Sequence, residues 1–97
     1  MAEVKITLRN GNLSYHPCCP KVNRGEELTW KCDEGAFAVH IGYNSPLPKG
    51  RYRAKKGDAT GDNVGGNAQP GEYKYFVAVY DGEQVWTDDP IFIVKRP

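Results

Sequence analysis

The chain has 97 residues, with 13 Lys and Arg against 12 Asp and Glu and a net charge of +1. That length supports one domain, residues 1–97, around one core. The scattered charges supply no basic stripe for a nucleic acid. A mean hydropathy of -0.64 and the lack of a long apolar run leave no membrane span.

The opening MAEVKITLRN has neither a basic n-region nor an apolar h-region. No signal peptide is expected in it, which suits a cytoplasmic chain or a processed secreted or periplasmic one. Val4, Ile6 and Leu8 alternate with Lys5, Thr7 and Arg9, the period of a half-buried strand. Asn10-Gly11-Asn12 is a turn signal, and a short strand follows over Leu13–His16. Pro17 and Pro20 lack backbone donors and interrupt pairing around Cys18 and Cys19. In strand geometry those two neighbours would point to opposite faces. A short strand resumes at Lys21–Asn23. Beyond Asn23-Arg24-Gly25-Glu26, Leu28, Trp30 and Cys32 alternate with Glu27, Thr29 and Lys31, which places Trp30 in the core. Asp33-Glu34-Gly35 turns the chain into a strand over Ala36–Tyr43, with Phe37, Val39, Ile41 and Tyr43 on its bulky face.

From Asn44 to Pro70 the pattern fades. Arg51–Ala54 reads as a short strand and Gly57–Gln69 as a mobile polar loop. Glu72–Tyr80 is the longest strand, with Tyr73, Tyr75, Val77 and Val79 on one face. Asp81-Gly82 signals a two-residue hairpin, pairing Tyr80 with Glu83 and Trp86 with Val77. Glu83–Thr87 returns, Asp88-Asp89-Pro90 breaks, and Ile91–Lys95 closes the domain. Seven to eight short strands without a helix predict an all-β Greek-key sandwich, with an immunoglobulin-like sandwich as the alternative topology.

The order of these segments resembles the cupredoxin family over nearly the whole chain. The resemblance rests on Val22-x-x-Gly25-Glu26-x-Leu28-Thr29-Trp30, on an aromatic-rich strand with His40, on Leu47-Pro48-x-Gly50, and on Pro70-Gly71-Glu72-Tyr73-x-Tyr75. It implies a sandwich whose Pro-Gly-x-Tyr strand leads into a copper-ligand loop supplying Cys, His and Met. Here Tyr75–Trp86 contains none of the three, and the sole Met is Met1. His40 falls within about two residues of the position of the family's first His ligand. A blue-copper site needs a thiolate and two imidazoles, so no cofactor is expected.

Other constellations define further candidates. His16, Cys18, Cys19, Cys32 and His40 are the metal candidates, although adjacent cysteines are not the usual spaced chelate. A bond from Cys18 or Cys19 to Cys32 is open in an oxidising compartment, and reduced thiols in a reducing one. His16 beside Cys18 lacks the third orienting group a nucleophile would need, and no catalytic residue emerges. Asp58, Asp62 and Asn63 do not follow a calcium-loop spacing. Tyr43, Tyr52 and Tyr80 are the candidate surface aromatics for a ligand. The expected protein is a monomeric, non-catalytic binding or interaction module for a protein or small ligand. A metal-handling protein using His and Cys ligands and a carbohydrate-binding module are the alternatives.

Overall fold

A computed structural model describes residues 2–97. Eleven strands follow one another without a helix among the described residues: β1 Ala2–Arg9, β2 Asn12–His16, β3 Lys21–Val22, β4 Glu27–Cys32, β5 Ala36–His40, β6 Arg51–Ala54, β7 Ala59–Asn63, β8 Gly71–Lys74, β9 Phe76–Tyr80, β10 Val85–Asp88 and β11 Ile91–Val94. One sheet has the order β2-β1-β4-β7, a second β10-β9-β5-β6, and a third β3-β11-β8. Only Tyr75 separates β8 from β9, so the second and third sheets run on from each other and face the first across a common core. This is the expected all-β sandwich. The strands outnumber the apolar segments because short breaks divide them and because β7 adds one.

Strict alternation builds the core. In β1 Val4 and Ile6 point inward, and the parallel neighbour β4 sets Val4 beside Trp30 and Ile6 beside Cys32. Trp30 is fully buried. Its ring lies 5.4 Å from Tyr75, 6.1 Å from Tyr52 and 6.3 Å from Phe92, centroid to centroid. Edge-on and tilted aromatic packing of this kind stabilises beyond the area it buries. Burial pushes the Tyr75 phenol up to about 12, against a smaller lowering from the Trp30 side chain. Tyr73, half-buried, stacks on Phe92 at 5.4 Å.

Three expectations are corrected. Part of the glycine-rich loop is strand β7, paired antiparallel with β4 through Trp30 opposite Thr60 and Thr29 opposite Gly61. Gly61 permits this approach: a Cβ there would lie 2.1 Å from the Leu28 carbonyl oxygen. Val64 is buried beyond it, exchanging backbone hydrogen bonds with Gly25 and Glu26. The strand over residues 36–43 stops at His40. Gly42, at φ +105°, turns the chain, and Tyr43 leaves the bulky face for full solvent exposure.

The third correction concerns register. Tyr80 pairs with Val85 and Trp86 with Val79, so residues 81–84 form a four-residue loop. The Asp81 carboxylate sets its length. It accepts from the Glu83 and Gln84 backbone N–H groups and from Trp86 Nε1, each at 2.8 Å. The two-residue hairpin is instead at Asn10-Gly11, both at positive φ, with Arg9 opposite Asn12. The half-buried Trp86 ring rests over Gly11, 3.0 Å from where a Cβ would stand.

Candidate functional site

The second sheet turns one face to the core and leaves the other open. Alternation in β5 and β9 directs Phe37, Val39, Val77 and Val79 inward. The intervening residues face outward in register: Ala36 opposite Tyr80, Ala38 opposite Ala78, and His40 opposite Phe76. On the other side of β5, Ala38 pairs with Arg53 and His40 with Arg51. Beyond β9, Val85 stands opposite Tyr80.

Side-chain size turns this face into a trough. Ala36, Ala38 and Ala78 form a low floor. Tyr80 and Val85 stand on one flank, and Arg53 with Lys55 on the other, around a shallow open volume of about 620 Å³. A second depression continues past Ala38 between His40, Arg51 and Arg53, and a third reaches Gly42, Tyr43 and Gly50. The strip therefore follows β5 from Tyr80 at one end to Tyr43 beyond the other.

Two properties separate it from an ordinary solvated face. Its apolar side chains are large where they stand free: Phe76 and Val85 are each 61% exposed and Tyr80 51%. Its cations are unpaired: among the described residues the ion pairs are Lys5 with Asp33 and Lys74 with Asp89, and neither touches Arg51, Arg53 or Lys55. The Tyr80 ring is also held in place, its hydroxyl donating to the Gly82 carbonyl at 3.0 Å.

The sequence-derived candidates separate. Tyr80 belongs to the trough and Tyr43 to its far end. Tyr52 is corrected from surface to core at 6% exposure. It lies on the inward face of β6, its hydroxyl accepts from the Lys49 N–H at 3.1 Å, and Asp62 Oδ2 lies 3.3 Å away. The three tyrosines therefore make no common platform. His40 is exposed at the end of β5, and His16 at the end of β2 in the first sheet. Cys32 is buried and free, and burial pushes its thiol up. Cys18 and Cys19 are exposed and free. Their sulfurs lie 3.0 Å apart rather than on opposite faces, because the chain bends here instead of extending as a strand. His40 and the cysteines are not gathered into one cluster; among the described residues no three His, Cys, Asp or Glu side chains form a group that could hold a metal.

Sequence reasoning missed Ala36, Ala38, Arg53, Phe76, Ala78 and Val85. The available signal was apolar residues on both phases of the strands over residues 36–38 and 76–80, where a half-solvated strand alternates with polar ones.

No family model and no curated protein matches the sequence. Among solved structures the chain is similar to the novel purple cupredoxin from Nitrosopumilus maritimus, with a TM-score of 0.60 and 18% identity over 98% of this chain and 100% of that one. The fold is thus cupredoxin-like. A type 1 copper ion takes a thiolate and two imidazoles, and among the described residues no such set is gathered into one group. His16 and His40 belong to different sheets, and Val77 and Val79 of β9 are core residues. The loop after β9 is closed on the Asp81 carboxylate and offers no sulfur or imidazole.

Proposed function

We propose that this protein is a non-catalytic interaction module whose outer β5–β6–β9 face holds an extended, acidic and apolar peptide segment of a partner protein. The carrying observation is the alanine-floored trough bordered by exposed Tyr80 and Val85 on one side and by unpaired Arg53 and Lys55 on the other, continued along the same face by unpaired Arg51 and by exposed Phe76 opposite His40. Exposed apolar surface gathered into one patch favours association, and unpaired cations beside it favour a partner of negative charge. Arg51 and Arg53 are two residues apart on one strand. An extended segment with carboxylates at alternate positions repeats that spacing, and its remaining apolar groups can cover the floor.

A display library of random peptides selected on the folded protein tests this reading. The expected enrichment is Asp or Glu at alternate positions beside aliphatic or aromatic residues. Arg53→Glu should weaken the selected peptides by about tenfold or more, as expected for reversing a charge that faces a carboxylate. Enrichment of neutral or basic sequences, or binding indifferent to Arg53→Glu, would overturn it.

A further inference from the structure

Away from the trough, the connection between β2 and β3 carries two adjacent thiols in an unusual relation. We propose that Cys18 and Cys19 form a two-thiolate site for a soft trivalent thiophile of the arsenite class. This goes beyond the peptide-binding reading and uses none of its residues.

Placement comes first. Both cysteines are exposed and unbonded, with sulfurs 3.0 Å apart. The segment is anchored on each side. His16 is opposite Lys5 in the β1–β2 ladder. Pro20 is buried, and its carbonyl accepts from the Ile93 N–H at 2.9 Å. Only residues 17–19 lie between these anchors. The fixed φ of Pro17 and Pro20 limits that span further, so the thiols are presented together before any ligand arrives.

The narrow separation then selects the ligand. With sulfur bonds of about 2.3 Å, a linear two-coordinate ion needs its sulfurs about 4.6 Å apart. A pyramidal centre with bond angles near a right angle needs only about 3.2 Å at the same bond length. The Cys18–Cys19 pair matches the second. Thiolate donors also favour soft centres over oxygen-seeking ones.

With phenylarsine oxide as probe, two As–S bonds form and the arsenic–oxygen bond is lost. Both thiol protons leave with the oxygen as water. Arsenic remains trivalent and no electrons are transferred.

The test uses the reduced full chain, titrated with phenylarsine oxide and followed by intact mass and by iodoacetamide footprinting. One adduct per chain is expected, with Cys18 and Cys19 both protected and Cys32 unaffected by the addition. A small dithiol should release it and a monothiol should not. Cys18→Ser and Cys19→Ser, both at exposed positions, should keep the wild-type melting temperature and weaken the adduct about 100-fold or more through loss of the chelate. An adduct of undiminished strength on either serine variant, protection of one cysteine alone, or release by a monothiol would overturn the proposal.

Discussion

The inner and outer faces of β5 and β9 are built from alternate residues of the same two strands, yet they obey different rules. Inside, Phe37, Val39, Val77 and Val79 are buried against the Trp30 cluster, and packing accounts for each. Outside, Ala36, Ala38 and Ala78 leave room that no other side chain fills, while Phe76 and Tyr80 stand exposed beside them. Folding requires the first arrangement and is indifferent to the second. An apolar face that folding does not explain is where a binding surface should be sought.

The largest break in this comparison should come from Trp30→Ala. Trp30 touches the aromatic residues of three other strands or their connections, and the cavity should cost about 3–5 kcal/mol. Chemical denaturation measures it; an unchanged midpoint would contradict a central Trp30. Neighbouring positions on β5 sharpen the contrast. Val39→Ala should cost about 2 kcal/mol, because Val39 has no exposed surface. Ala38→Glu, one residue away on the open face, should change stability by less than about 0.5 kcal/mol while abolishing capture of acidic peptides. Equal destabilisation by both would mean that the outer face is part of the fold's packing.

The smallest expected effect is a local pH response of the loop joining β9 and β10. Backbone N–H of Gln84, the Trp86 side chain and backbone N–H of Glu83 hold the Asp81 carboxyl below the usual carboxylate range. A lowered folded-state pKa stabilises above the unfolded value, about 3.9, and that contribution is lost as pH falls through the lower folded value. The Trp86 indole N–H resonance should therefore move during acidification while that of the buried Trp30 stays put. A Trp86 signal indifferent to acid would argue against the Asp81 contact.

What the sequence made legible follows from how each feature is encoded. Apolar alternation identified β1, β4, the start of β5 and the Trp30 core directly, because burial selects for it. Strand β7 was hidden, since Ala59, Thr60, Gly61, Asp62 and Asn63 carry no such alternation. Its pairing depends on the missing Cβ of Gly61 beside β4, which is a tertiary fact. The β9–β10 register was misread because Asp81-Gly82 carries the same two-residue signal as Asn10-Gly11. The Asp81 side chain overrides it by hydrogen bonding three residues of the loop and the strand beyond. The trough was illegible for another reason. Alanine is neutral in a strand pattern, and only the sheet shows that three alanines share an uncovered face. Likewise, the strand rule separated Cys18 from Cys19, whereas the bend between two prolines joins them.

β6 is the outermost strand of its sheet, and an outer strand with unpaired backbone groups is a template on which further chains can add. Arg51 and Arg53 project from that strand, and Lys55 follows it. Two copies approaching through this edge would bring like charges together before their backbones could pair. Molecules of this protein should therefore resist growing into ribbons in dilute salt, and high ionic strength, which shortens the reach of those charges, should lower the barrier to fibril formation along that edge.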